Sequence, residues 1–266
     1  MTHSFLPQGI QTLPTSIQSD NEYPVLFREI LPTSAPISRY QGFRPATEGN
    51  YPALVAWSPY GKDIGGSWLD DMYERAGVPL ELVSEFQKFE GPDPAFWVNQ
   101  GYVVLNPDAR GIGDGEGNAT FLGTQLAQDG ADFIQWASEQ VWSNGKVGLS
   151  GNSWLGISQW FIAAENPPAL AAIAPWEGAT DLFWDCCRGG IPMPAFPDEI
   201  MQTLSGKALI EDMPRMMAQE QTITPYWQDK IAQLEKIIVP AYVVACYNNA
   251  IHTNGSFDGF RRIASK

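Results

Sequence analysis

The stretch Lys146-Val-Gly-Leu-Ser-Gly-Asn-Ser-Trp-Leu-Gly-Ile-Ser-Gln-Trp160 carries the clearest chemistry in the chain. An apolar strand pattern runs into glycines around Ser153 and then into a helical pattern. A serine on such a strand-to-helix turn is held out as a nucleophile, and the tight backbone needs small neighbours. Gly151 and Gly156 supply them in the spacing G-x-S-x-x-G, one position longer than the usual G-x-S-x-G. On this reading the Trp154 amide, at a helix N-terminus, faces the oxyanion that forms when Ser153 attacks a carbonyl. The competing reading is that Ser153 only caps the helix. Ser150 is a weaker candidate, because it belongs to the strand. A serine nucleophile needs a base, and the chain has only two histidines, His3 and His252.

The elements that must position Ser153 follow from hydrophobic patterning. Five short apolar runs read as buried strands: 51–58, 101–106, 146–150, 169–174 and 239–246. Helical patterns fall between them at 122–140 and 154–164, the second stopped by Pro167 and Pro168. Gly145 is placed as the left-handed cap that follows the first helix. Strands alternating with helices give an α/β fold with a mostly parallel sheet covered on both faces. Residues 177–236 break the rhythm, with helical pieces at 201–209 and 226–237, and read as a helical cap over the strand ends. The expected organisation is a poorly defined N-terminal segment 1–45, an α/β-hydrolase core at 46–176 and 237–266, and the cap at 177–236.

Composition narrows the partners. A net charge of −14 over 266 residues argues against nucleic acid and anionic membrane surfaces. No apolar segment reaches the length of a membrane span, and residues 1–23 lack the apolar core of a secretory signal. The three cysteines do not make a disulfide scaffold: Cys186 and Cys187 are adjacent, and Cys246 reads as a buried thiol. These features fit a cytoplasmic protein. No zinc-type spacing or phosphate-loop motif is present, so neither a metal nor a cofactor is expected. Asp108 and Arg110, in a glycine-rich loop, read as an ion pair that braces the site.

Several motifs together resemble one family. Ser153-Trp-Leu-Gly156 is similar to the S-[YW]-x-G elbow of the Xaa-Pro dipeptidyl-peptidase-like hydrolases, the peptidase S15 or cocaine-esterase-like family. Trp57-Ser-Pro-Tyr-Gly-Lys62 resembles its segment after an early strand. Asn106-Pro-Asp-Ala-Arg-Gly-Ile-Gly-Asp-Gly-Glu-Gly117 resembles its D-x-R-G-x-G-x-S-x-G loop, with Asp114 in the serine place. Asp129 to Trp136, followed by Trp142-Ser-Asn-Gly-Lys146, resembles the approach to the elbow.

The resemblance implies an α/β-hydrolase fold and a serine hydrolase working through an acyl-enzyme. It implies that Tyr60 adds its hydroxyl to the oxyanion hole beside the Trp154 amide. It places the triad acid at Asn248, where the family shows W-[YT]-D and this chain shows Cys246-Tyr-Asn248. Asp258 is an alternative carboxylate, read as a solvated helix residue. The family histidine follows one further strand, a position beyond Lys266, so the last strand, the base and the C-terminal β-sandwich are expected to be missing. His252 is then either a helix-entry or pocket residue or a surrogate base. The expected substrate is a small-molecule ester, amide or acyl donor. Acyl transfer by the same intermediate, or a catalytically impaired remnant that only binds a ligand or partner, are the alternatives.

Overall fold

A computed structural model describes residues 10–11, 40–62, 82–204 and 209–265. His3 and most of the N-terminal segment lie outside the described residues. Among the described residues six strands form one sheet: β1 (Ile10–Gln11), β2 (Tyr40–Pro45), β3 (Tyr51–Val55), β4 (Val103–Pro107), β5 (Ser143–Asn152) and β6 (Leu170–Trp176). Their order is β1-β2-β4-β3-β5-β6. The four strands β4, β3, β5 and β6 are parallel, and β2 joins β4 antiparallel. The chain builds outward from β3 to β4 on one side and to β5 on the other. The order therefore reverses between β3 and β5, and their carboxyl ends flank the crevice where open α/β sheets bind ligands.

The α-helices among the described residues are α1 (Pro94–Asn99), α2 (Thr124–Ser138), α3 (Trp154–Ala164), α4 (Leu182–Cys186), α5 (Ala195–Thr203), α6 (Met213–Gln219), α7 (Pro225–Asp229) and α8 (Thr253–Arg262). Every residue of α3 is buried, so this helix is packed all round. Gln159 fastens it to β6: its amide nitrogen donates to the Leu155 and Ala174 carbonyls, and its oxygen accepts from Ala174 N at 2.8 Å. Trp160, fully buried, donates through Nε1 to the Gly178 carbonyl. Leu126, Phe133, Ile134 and Ala137 of α2 join the same core.

Several expectations change. The apolar run 239–246 does lie parallel to β6 and is tied to it by four backbone hydrogen bonds around the Ile173–Ala241 and Trp176–Val244 bridges, but it does not form a continuous strand. Pro240 has no N–H to donate, which interrupts a ladder. Cys246 is exposed rather than buried, because it lies on this open margin with Tyr242 and Tyr247. Gly145 does take a left-handed φ of 80°, but within β5, well after the end of α2. Tyr40–Pro45, the end of the expected segment 1–45, forms β2 of the sheet. Residues 177–236 carry α4 to α7, with α5 lying earlier than the expected piece 201–209 and α7 shorter than the expected piece 226–237. No helix among the described residues is long and apolar enough to cross a membrane.

Candidate active site

Ser153 closes β5 and opens α3. Its φ of 53° and ψ of −117° lie in a region that non-glycine residues avoid. Holding it there costs of order 1–3 kcal/mol. The elbow is fixed by Ser153 N donating to the Trp176 carbonyl at 2.9 Å and by Asn152 N donating to the Glu90 carbonyl at 3.0 Å. The late glycine has a steric reason. A Cβ on Gly156 would stand 2.6 Å from the Trp176 carbonyl oxygen, so this turn of α3 must be bare where it crosses the end of β6. Gly151 is equally constrained, since a Cβ there would meet Leu155 Cβ at 2.5 Å.

Ser153 occupies the N-cap position, yet its side chain makes no capping hydrogen bond. Its Oγ lies 3.2 Å from His252 Nε2 instead. The Ser153 hydroxyl therefore faces a histidine and does not cap the helix. His252 enters α8, and the turn that delivers it is held by Asn249, whose Oδ1 accepts from Ile251 N and His252 N. Thr253 Oγ1 adds a 2.7 Å bond to the Cys246 carbonyl. His252 is thus a helix-entry residue and a partner of Ser153 at once. Burial pushes its pKa down to about 4, so the ring is neutral near pH 7 and able to accept a proton. Its Nδ1 is buried and finds no hydrogen-bond partner among the described residues.

Asn248 does not fill that gap. It is exposed, and its Oδ1 accepts from Cys246 Sγ at 3.1 Å. Asp258 pairs with Arg262 one turn along α8, as a solvated helix residue should. The half-buried Tyr60 follows β3, and its hydroxyl lies in hydrogen-bond contact with Glu90 Oε2 at 3.3 Å, donating when Glu90 is ionised and able to accept when Glu90 is protonated. Trp154 is buried, with its ring edge-on to Phe121 at 4.5 Å.

Glu90 is the residue that sequence reasoning missed. It is buried, takes a left-handed φ of 62°, and turns its carboxyl group toward the elbow. Oε1 accepts from Asn152 Nδ2 at 3.3 Å. Burial raises its pKa to about 8 against the hydrogen bonds from Asn152, Ser153 and Tyr60, and the nearby Glu177 carboxylate pushes the same way. The signal available in Phe89-Glu-Gly-Pro92 was only a turn.

The expected Asp108–Arg110 pair is not formed. Asp108, fully buried, binds Lys62 through a backbone amide bond and a 3.3 Å ion pair. Arg110 instead makes a two-pronged pair with Asp129 of α2, at 2.7 and 2.6 Å. Both pairs tie the loops after β3 and β4 to the body of the fold. A cleft lies beside α3, walled by Phe121 and Trp154 with Met201, Leu204 and Ile210. It meets the elbow through Trp154, while Ser153, His252, Tyr60 and Glu90 lie outside its lining.

The model of the X-Pro dipeptidyl-peptidase (S15) family matches residues 40–212, more than half of the chain. The chain belongs to this family. It is 30% identical over 141 residues to the cocaine esterase of Rhodococcus sp. (strain MB1 Bresler), covering 53% of this chain and 21% of that protein. The structure is similar to that of a CocE/NonD family hydrolase from Staphylococcus aureus, with a TM-score of 0.82 and 29% identity over 91% of this chain and 44% of the other. An α-amino acid ester hydrolase superposes with a TM-score of 0.59 at 16% identity, which speaks to the fold alone. This S15-family chain has the α/β-hydrolase fold and spans about a fifth of the curated relative's length.

Proposed function

We propose that this chain is the nucleophile-bearing core of a serine hydrolase that cleaves an ester or amide of a small molecule through an acyl-enzyme on Ser153. The observation that carries the reading is the 3.2 Å contact between Ser153 Oγ and His252 Nε2 on a strained elbow. His252 Nε2 takes the hydroxyl proton as Oγ attacks the carbonyl carbon. The tetrahedral oxyanion accepts from the Trp154 amide and the Tyr60 hydroxyl. Collapse expels the alcohol or amine, which receives the proton from His252. Water, activated by the same ring, then releases the acid.

A second reading is a catalytically impaired relative that chiefly binds its ligand. The unpartnered His252 Nδ1 favours it. Losing a properly placed acid behind a catalytic histidine costs roughly 10⁴ in rate. Hydrolysis of p-nitrophenyl acetate by the 266-residue chain, by Ser153→Ala and by Tyr60→Phe separates the two. The hydrolase reading expects no turnover above background in the first variant and a loss of about 10²–10³-fold in the second. Equal rates in all three proteins would contradict it.

A further inference from the structure

Glu90 has no part in the reaction as written, yet its side chain is built into the oxyanion side of the site. Three elements meet on it. The loop after β3 brings Tyr60, whose hydroxyl lies 3.3 Å from Oε2. The elbow brings Asn152, bonded to both the Glu90 backbone carbonyl and Oε1. The loop after β6 brings Glu177, the charged group facing it, and His252 reaches the same cluster through Ser153. The ring of Phe89, next in the chain, packs edge-on against Tyr60 at 5.2 Å. The left-handed backbone at Glu90 is a conformation that glycine would adopt at less cost. A buried carboxyl group on such a backbone, shared between the elbow and the oxyanion tyrosine, calls for a use.

We propose that Glu90 is a positioning residue for the oxyanion hole: in its protonated form it donates to the Tyr60 phenol oxygen, so that the Tyr60 proton is not drawn to a carboxylate and can turn toward the oxyanion. This rests on the reading of Ser153 and Tyr60 above. A carboxylate at the same place would do the opposite on two counts. It would draw the Tyr60 proton toward itself, and it would set a second negative charge beside the oxyanion in a water-poor site. The Glu90 hydrogen is only shared along the hydrogen bond, so the carboxyl group is unchanged at the end of each cycle. Burial and Glu177 both favour the neutral form up to about pH 8.

The test is the pH profile of p-nitrophenyl acetate hydrolysis from pH 5 to 10 for the full 266-residue chain and for Glu90→Gln. The wild-type kcat should fall about tenfold per pH unit above an inflection near 8. Glu90→Gln should lose about 3–10-fold in kcat at pH 7, because an amide N–H is a weaker donor than a carboxyl O–H, with little change in KM and no inflection near 8. Glu90→Ala should lose more in kcat than Glu90→Gln. An unchanged alkaline inflection in Glu90→Gln would overturn the proposal. Infrared difference spectroscopy gives a readout independent of turnover: a neutral-carboxyl band that disappears near pH 8 and is missing in Glu90→Gln. A band that disappears below pH 6 would also overturn it. Turnover that survives Ser153→Ala would sink the reading of the nucleophile instead.

Discussion

Replacing Glu90 by Gln should change how stability depends on pH, and the size follows from two buried groups with opposite signs. Glu90 titrates at about 8 in the fold against an ordinary 4.5. The folded state therefore holds a proton that the unfolded state has released between those values. Stability from this group is intact below 4.5 and is lost as pH rises to 8, by about 5 kcal/mol at 1.36 kcal/mol per unit. His252 titrates at about 4 against an ordinary 6.5. Here the unfolded state binds the extra proton, so stability is intact above 6.5 and is lost as pH falls to 4, by about 3 kcal/mol. Between pH 4.5 and 6.5 the two slopes nearly cancel. Between 6.5 and 8 only Glu90 acts, and about 2 kcal/mol is lost.

Urea unfolding of wild type and Glu90→Gln at pH 4.5, 6.5 and 8.5 isolates this effect, because all other titrating groups are common to both. The wild type should lose about 5 kcal/mol relative to the variant across that range, about 2 kcal/mol of it above pH 6.5. A difference that stays within about 1 kcal/mol at all three pH values would refute the buried neutral carboxyl group.

Three further outcomes follow from the packing. Gly156→Ala drives a methyl into the Trp176 carbonyl and should cost about 1–3 kcal/mol in thermal or urea unfolding; an unchanged midpoint would mean the crossing is looser than described. Asn248→Asp should change the hydrolysis rate less than about threefold, since its side chain turns to solvent beside Cys246 rather than to His252; a gain of 100-fold would restore it as the acid. Asp129→Ala strands Arg110 and should destabilise by about 3 kcal/mol, the low end for a broken buried pair because Arg110 is partly exposed; an unfolding midpoint equal to wild type would show the pair to be dispensable.

What the sequence revealed divides along local and distant contacts. The elbow was legible because strand, turn and helix are consecutive, and each has its own pattern in residues 146–164. The reason for the late glycine was not, because the Trp176 carbonyl that forbids a side chain is twenty residues away. Tyr60 was found only through the motif around it. His252 was noticed because histidines are scarce, but its contact with Ser153 depends on the Asn249 turn and the docking of α8. Glu90 had no pattern at all: a single acid in a turn gives no hint that its side chain meets Tyr60 and Asn152. The Arg110 pairing failed for a related reason. Proximity in sequence suggested Asp108, while the α2 helix brought Asp129 into a better two-pronged geometry. The run 239–246 had the composition of a strand, but composition does not supply hydrogen-bonding partners along its outer margin.

The proposed activation of Ser153 by His252 is tested by reaction of the folded chain with a fluorophosphonate, followed by intact-mass measurement and mapping of the modified peptide. A single adduct is expected, on Ser153, absent in Ser153→Ala and slowed at least about 100-fold in His252→Ala. No adduct on folded protein, or the same labelling rate without His252, would contradict it.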